Sequence, residues 1–195
     1  MALHLRSDSL QTRQHILVVA SGLALQGGPQ ALTIDGVARE AKMSKGGVLY
    51  HFRSKEELIK GMMRLHLQGF WETLHRYWKA DVRREGRWHR AWIQATFEGL
   101  RRTEDLENPA LFSMVHSCPD LILFLRRQLA RVLRCLDFDG LEPVRSRLLT
   151  SSVAGLRYDR MFRICWVEPA MVDALEEEAL QWLEHILVAG TGRDS

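Results

Sequence analysis

The residues best suited to chemistry lie in one short stretch, where a serine precedes a lysine and two glycines. Ser44 is of the type that caps a helix, and Lys45, Gly46 and Gly47 would form the first turn of that helix. The first backbone N–H groups of a helix have no partner within it and carry the positive end of the helix dipole. This pattern indicates that Ser44, Lys45, Gly46 and Gly47 are candidate residues for binding an anion or base edges.

Further polar groups follow this first turn at spacings suited to phosphate contact. Tyr50 and His51 come one turn later, and Lys55 stands at the start of the next helix, a position where a phosphate oxygen is readily bound. Ser54 caps that next helix, and Glu57 at its third position completes a capping box.

The residues before Ser44 predict a helix and a tight turn. Thr33 is a good N-cap, Ala38 is small where two helices would cross, and Met43 would fill the turn. Together with the helix that follows, they predict a helix-turn-helix, in which the N-terminal end of the second helix enters the major groove of DNA.

The whole chain is predicted to be all-α, because apolar residues recur at spacings of three and four while glycine and proline fall between such stretches. The first predicted helix covers about 10–26 and ends at Gly27-Gly28-Pro29, and a long helix starts after Ser54. The other predicted helices begin at Thr33 and cover about 45–52, 87–102, 109–117, 119–136, 142–165 and 168–189.

The positive charge of the chain is concentrated near its start. The chain has 195 residues, of which 46% are hydrophobic and 26% charged, and this composition excludes a disordered or fibrous protein. Residues 1–60 contain 8 Lys or Arg and 5 Asp or Glu, whereas residues 61–195 contain 19 of each. The net charge of +3 therefore lies with the helix-turn-helix, where a polyanion would bind.

Other function classes find little support in the sequence. The 3 cysteines form no CxxC pair, which favours a reducing, cytoplasmic setting. A membrane-spanning helix needs about 18 consecutive apolar residues, and no apolar run in the sequence is nearly that long. No membrane partner is therefore expected. The histidines lack metal-type spacing, and Cys118 has no neighbouring carboxylate to orient a base. We therefore expect no metal, no cofactor and no enzymatic activity.

The stretch from Thr33 to Leu58, with SKGGVLYHF followed by SKEEL, resembles the DNA-binding domain of the tetracycline repressor (TetR) family. The resemblance implies a DNA-binding domain over residues 1–54 and a helical ligand-binding and dimerisation domain over 55–195. It also implies phosphate contacts from Thr33, Tyr50, His51 and Lys55, and base-facing positions at Lys45, Gly46 and Gly47.

Two residues depart from the family pattern. Lys42 occupies the turn position where the family usually has glycine, so it is expected to adopt a left-handed conformation at a cost of roughly 1 kcal/mol. Gly47 stands where the family often has a larger polar residue, and two adjacent glycines lower helix propensity by about 1 kcal/mol each. Close approach of the backbone and Lys45 must then supply much of the readout, with DNA shape contributing.

Aromatic residues of the larger C-terminal part either pack in its core or line an apolar pocket. The resemblance implies a small-molecule effector bound among the middle helices. The candidate lining residues are Phe70, Trp78, Trp92, Phe112, Phe124 and Phe162. On one later helix, by contrast, four arginines are expected to form a solvated face: Arg126, Arg127, Arg131 and Arg134.

The last two helices carry more apolar surface than one domain needs, together with small residues that allow close helix approach. This predicts a four-helix dimer interface with two helices from each subunit, as in the family. The candidate interface residues are Ser152, Gly155, Leu175, Ala179, Trp182 and Ile186.

The sequence thus predicts a DNA-binding transcription regulator, a repressor that acts as a homodimer. Twofold symmetry predicts a palindromic operator that is read by two helices about 34–36 Å apart. Binding of an effector would release the protein from this operator. Two alternatives stay open at this point. One is a constitutive or protein-regulated DNA binder without an effector, and the other is a helical cytoplasmic enzyme or carrier.

Overall fold

A computed structural model of the protein describes residues 2–101, 113–114, 119–162 and 167–191. These residues form eight helices and no strand, which confirms the all-α prediction. The helices are α1 Ala2–Ala31, α2 Ile34–Glu40, α3 Lys45–His51, α4 Lys55–Ala80, α5 Arg87–Arg101, α6 Pro119–Asp137, α7 Pro143–Phe162 and α8 Pro169–Thr191.

The helix ends follow the local sequence signals closely. α1 is broken at Gly28, whose φ of 71° suits glycine, and Pro29 begins its last turn. α1 starts at Ala2 rather than near Leu10, because neither glycine nor proline interrupts the chain between them. The helix predicted over 109–117 lies outside the described residues except at 113–114.

Contacts divide the described residues into two compact units. Unit 1 contains the described residues up to Gln68 and those between 113 and Phe124, and unit 2 contains Gly69–Arg101 and the described residues from Leu125 onward. Unit 1 extends beyond the predicted domain boundary at residue 54, and that functional boundary stays a prediction.

Unit 1 buries the apolar faces of α1, α2 and α3 against the first turns of α4. Phe52, at the end of α3, is fully buried. Gly61 allows α4 to lie close to Leu17 of α1 and to Phe52, because a Cβ atom at this position would lie only 2.8 Å from both Leu17 Cδ2 and Phe52 Cε1. Burial of Phe52 in the core of unit 1 therefore fixes the C-terminal end of α3.

Unit 2 is built around α5, which packs against α7 and α8. Most of α5 is buried, including the polar residues His89, Arg90 and Thr96. Leu149 and Val153 of α7 and Leu183 of α8 complete this core. Of the described helices in both units, none is sufficiently long and apolar to cross a lipid bilayer.

Candidate DNA-binding surface

The turn between α2 and α3 has the hydrogen bonds of a Schellman motif. The Met43 amide donates to the carbonyl of Ala38 over 2.8 Å, and the Lys42 amide donates to that of Arg39 over 3.2 Å. Lys42 has a φ of 55° and is the one described non-glycine residue with positive φ. The left-handed conformation expected at Lys42 is thus confirmed.

Two side chains cap the helices on either side of this turn, as the sequence predicts. The Gly36 amide donates to Thr33 Oγ1 over 2.9 Å, and the Gly47 amide donates to Ser44 Oγ over 3.0 Å. Lys45 is exposed beside this second cap. Both capping oxygens therefore accept from their own helices, which fixes the start of α2 and of α3.

The two glycines at the start of α3 differ in their surroundings. Gly46 is exposed, and a Cβ atom there would meet only Ser44 Oγ, at 3.9 Å. A Cβ atom at Gly47 would lie 3.3 Å from both Met43 Cε and Ser44 Oγ, so these two side chains would have to shift slightly to admit it. Glycine at position 47, where the family often has a larger residue, thus leaves room for the Met43 side chain that fills the turn.

Lys45 forms an ion pair that the sequence pattern did not indicate. Its Nζ lies 3.1 Å from Oδ2 of Asp35, in the first turn of α2, and both side chains are largely exposed. An exposed pair of this kind contributes only about 0.2–1 kcal/mol, so Lys45 can exchange Asp35 for another anion.

The C-terminal end of α3 presents Tyr50 to solvent, and a distant arginine supports this end. Tyr50 is 81% exposed, and its ring meets that of His51 edge-on at 5.1 Å. Arg13 donates to the carbonyl oxygen of His51 over 2.7 Å, and its guanidinium lies 4.1 Å from the ring centroid of Phe52. Arg13 lies 38 residues from His51, so no local spacing could have indicated its role.

Lys55 has a partner within the protein. Its Nζ donates to the carbonyl oxygen of Pro29 over 3.2 Å and so supports the last turn of α1. The cap beside it differs slightly from the predicted capping box. Ser54 Oγ accepts from the Glu57 amide as predicted, but the Glu57 carboxylate accepts from the amide of Arg53 rather than from that of Ser54.

The predicted pocket aromatics with described side chains make separate ring contacts, and a shared lining stays a prediction. Phe70 and Trp92 meet edge-on with their ring centroids 5.3 Å apart, whereas Trp78 stacks on Trp88 at 5.0 Å. Phe124 belongs to unit 1 and lies 5.2 Å from the guanidinium carbon of Arg64. Phe112 lies outside the described residues, and of Phe162 only the backbone is described.

Trp92 stands out because its indole N–H is buried without an acceptor among the described residues. Its side chain is only 9% exposed, and Arg157 lies over the ring of its neighbour Phe70 at 4.7 Å. A buried donor left unpaired costs about 1–3 kcal/mol. A ligand with an acceptor oxygen would satisfy it.

The predicted dimer residues divide into exposed and buried groups. Trp182 is 46% exposed, Ser152 is exposed and Ile186 is buried, while the other three candidates are partly buried. Trp182 and Ile186 line a cavity of about 310 Å³ together with Leu148, which is 58% exposed. The apolar face thus includes Leu148, which the sequence pattern did not single out.

A buried trio of polar residues in unit 2 was also missed. His89 Nδ1 lies 2.7 Å from Asp139 Oδ2, and His89 Nε2 lies 2.8 Å from Ser146 Oγ. This is the order of groups in a serine hydrolase, but His89, Asp139 and Ser146 are only 0%, 5% and 4% exposed. No substrate can reach Ser146 in this arrangement, so the trio acts as a structural connection.

Family profiles match both parts of the chain. One, described as "Bacterial regulatory proteins, tetR family", matches residues 16–62. Another, described as "Tetracyclin repressor-like, C-terminal domain", matches residues 86–184, which is half of the chain. The chain belongs to the TetR family. The helix-turn-helix is therefore that of a DNA-binding transcriptional regulator.

Relatives of this TetR family member include regulators from several bacteria. A curated relative, the HTH-type transcriptional regulator AcrR of Shigella flexneri, is 32% identical over 65 residues, which are 33% of this chain and 30% of AcrR. The match thus spans about a third of the length of that relative.

Solved structures of other proteins share the fold over most of the chain. NalD of Pseudomonas aeruginosa, the secondary repressor of the MexAB-OprM multidrug efflux pump, has a TM-score of 0.61 at 19% identity, over 90% of this chain and 97% of NalD. The multidrug binding protein EbrR, complexed with malachite green, has a TM-score of 0.63 at 17% identity, over 87% of this chain and 96% of EbrR.

Proposed function

We propose that this TetR family member is a ligand-responsive repressor that binds a palindromic operator as a homodimer in the cytoplasm. The observation that supports DNA reading best is the exposed start of α3. There Lys45 and Gly46 are solvent-accessible while Ser44 and the Schellman turn hold the helix in place. α3 would enter the major groove with this end, and Tyr50 and His51 would contact phosphates.

Titration of DNA tests this proposal. A fluorescent duplex from the upstream intergenic region is titrated with the wild-type protein and with Lys45→Ala, and anisotropy reports binding. Loss of one groove contact is expected to weaken binding by about tenfold and to relax sequence preference. Lys79→Ala serves as the control, because it removes the same charge from an exposed residue of unit 2. Equal affinity of the two variants would contradict the assignment of α3.

The effector part of the proposal rests on the Phe70–Trp92 pair. The unpaired Trp92 N–H offers a hydrogen bond inside an apolar surrounding, which is the composition of small-molecule sites. NalD, a repressor, and EbrR, seen with malachite green, support the proposal by their similarity to this chain.

Release of DNA would follow from a population shift. α4 is one continuous helix of 26 residues that begins in unit 1 and ends in unit 2, so a change at Phe70 can be transmitted along it. To move the equilibrium from 1:99 to 99:1, the effector must prefer the released state by about 5.5 kcal/mol.

A compound panel that includes malachite green would be tested for release of the labelled duplex. Compounds active on the wild type should lose potency on Trp92→Phe, which removes the N–H but keeps an aromatic ring. An unchanged potency would place the effector elsewhere, and a panel without any active compound would favour the constitutive DNA binder.

A further inference from the structure

Unit 2 has a surface cavity whose lining residues belong to none of the proposed DNA, effector or dimer sites. Its volume is about 670 Å³, within the range of small-molecule sites. Trp71 and His75 of α4 line it together with Trp88 of α5, and Arg131 and Arg134 of α6 also line it. Neither Phe70 nor Trp92 is among its lining residues.

The aromatic side of the cavity is held in place by ring contacts. The rings of Trp71 and His75 lie 5.6 Å apart, and those of His75 and Trp88 meet edge-on at 5.8 Å. Trp88 is in turn stacked on Trp78. His75 Nδ1 lies 2.9 Å from the carbonyl oxygen of Trp71, and since a carbonyl only accepts, Nδ1 carries the hydrogen. These contacts preorganise an apolar surface for a planar ring.

The arginine side carries positive charge that none of the described carboxylates neutralises. Arg131 and Arg134 are exposed, and neither forms an ion pair with a described carboxylate. Elsewhere in unit 2, Arg83, Arg90 and Arg101 all have carboxylate partners. Both arginines are exposed, as the sequence pattern predicts, and the structure in addition places them on the wall of a cavity.

We propose that this cavity is a second ligand site, which takes a planar aromatic carboxylate. The ring packs against Trp71 and Trp88, and the carboxylate accepts hydrogen bonds from Arg131 and Arg134. Guanidinium groups suit this role because they present parallel donors to a carboxylate. Gln128, which also lines the cavity, adds an amide donor.

Calorimetric titration of the full chain tests this site. The probe is 2-naphthoate, and its neutral and cationic analogues are 2-naphthamide and 2-naphthylmethylamine. The wild type is expected to bind naphthoate at least about tenfold more tightly than either analogue, because only naphthoate gains charge-assisted bonds.

Two double variants with the same charge change locate the binding. Arg131→Gln with Arg134→Gln is expected to weaken naphthoate binding about tenfold or more, since both charged donors are lost. Arg126→Gln with Arg127→Gln, on the same helix but away from the cavity lining, should change it less than about twofold. Circular dichroism checks that both variants keep their helices.

Four outcomes would overturn this proposal. They are absence of saturable naphthoate binding, equal affinity for all three compounds, equal losses in the two double variants, and a loss confined to Trp92→Phe. In the last case the binding would belong to the effector site. None of these outcomes bears on DNA recognition, which is measured separately with the duplex.

Discussion

Asp35 and Lys45 form an exposed ion pair at the start of the proposed reading helix. The carboxylate of Asp35 holds Lys45 Nζ at 3.1 Å, so in the proposed complex a phosphate or a base would compete with Asp35 for this cation. The helix-turn-helix motif indicates Lys45, because its place in the first turn of α3 follows from the residues next to it in the sequence. It gives no signal for Asp35 or for Arg13, because both act through contacts between different helices.

We expect Asp35→Asn to strengthen operator binding by up to about fivefold, which corresponds to the roughly 1 kcal/mol upper value of an exposed pair. Anisotropy titrations of the same duplex measure the change. Glu178→Gln, an exposed site of unit 2, removes an equal charge and should have little effect. In the background of Lys45→Ala, the gain from Asp35→Asn should shrink, and a gain of full size there would show that Lys45 is not involved.

Lys42 carries backbone strain that glycine would relieve. A φ of 55° costs a residue with a Cβ about 1–2 kcal/mol, while glycine loses about 0.4–1 kcal/mol more entropy on folding. Lys42→Gly should therefore raise the free energy of unfolding by about 0.5–1 kcal/mol, as measured by urea denaturation. Arg127→Gly, at an exposed position in the interior of α6, should lower it instead. A loss of stability in Lys42→Gly would contradict the left-handed turn.

At the scale of elements, most helix ends are readable from the sequence because caps, glycine and proline act locally. Thr33, Ser44 and Ser54 each mark a helix start that the structure reproduces, and Gly28 marks the break in α1, which continues to Ala31. The aromatic lining is not readable in the same way. Helical spacing gives the face of a residue but not the neighbouring helix, so Phe70 pairs with Trp92 while Trp78 stacks on Trp88.

The His89 trio connects three elements of unit 2: α5, the α6–α7 loop and α7. Asp139 Oδ2 accepts from the His89 amide over 2.9 Å and contacts the ring nitrogen of the same residue. Asp139→Asn replaces an acceptor oxygen with an amide and should cost about 1–3 kcal/mol of stability. Asp137→Asn, two residues earlier and exposed, should cost less than about 0.5 kcal/mol in the same urea titration. Equal costs would show that the trio is not a buried connection.

At the scale of the molecule, the distribution of charge along the sequence indicates which part of the chain binds DNA. The positive excess lies within residues 1–60, the same part that contains the helix-turn-helix. Self-association is less accessible to such reasoning, because an apolar stripe serves both the core of one chain and an interface. Ile186 and Leu183 are buried within the chain, whereas Trp182 and Leu148 are largely exposed. These last two residues are therefore the ones that a second copy would cover.

The double variant Leu148→Glu with Trp182→Glu should convert the proposed dimer to a monomer, because twofold symmetry would place each new charge against the same apolar face of the partner. Light scattering after size-exclusion chromatography reports the mass. Leu129→Glu, on the 42% exposed Leu129 of α6, tests whether any added charge has this effect.

Monomer formation has a consequence for the operator. Two linked reading helices gain about 10²–10⁴ in avidity over one, so the monomeric variant should lose most of its affinity for a palindrome. It should lose far less for a single half-site. If the variant is monomeric yet binds the palindrome as tightly as the wild type, then α3 reads DNA without a symmetric partner and the homodimer is not the functional form.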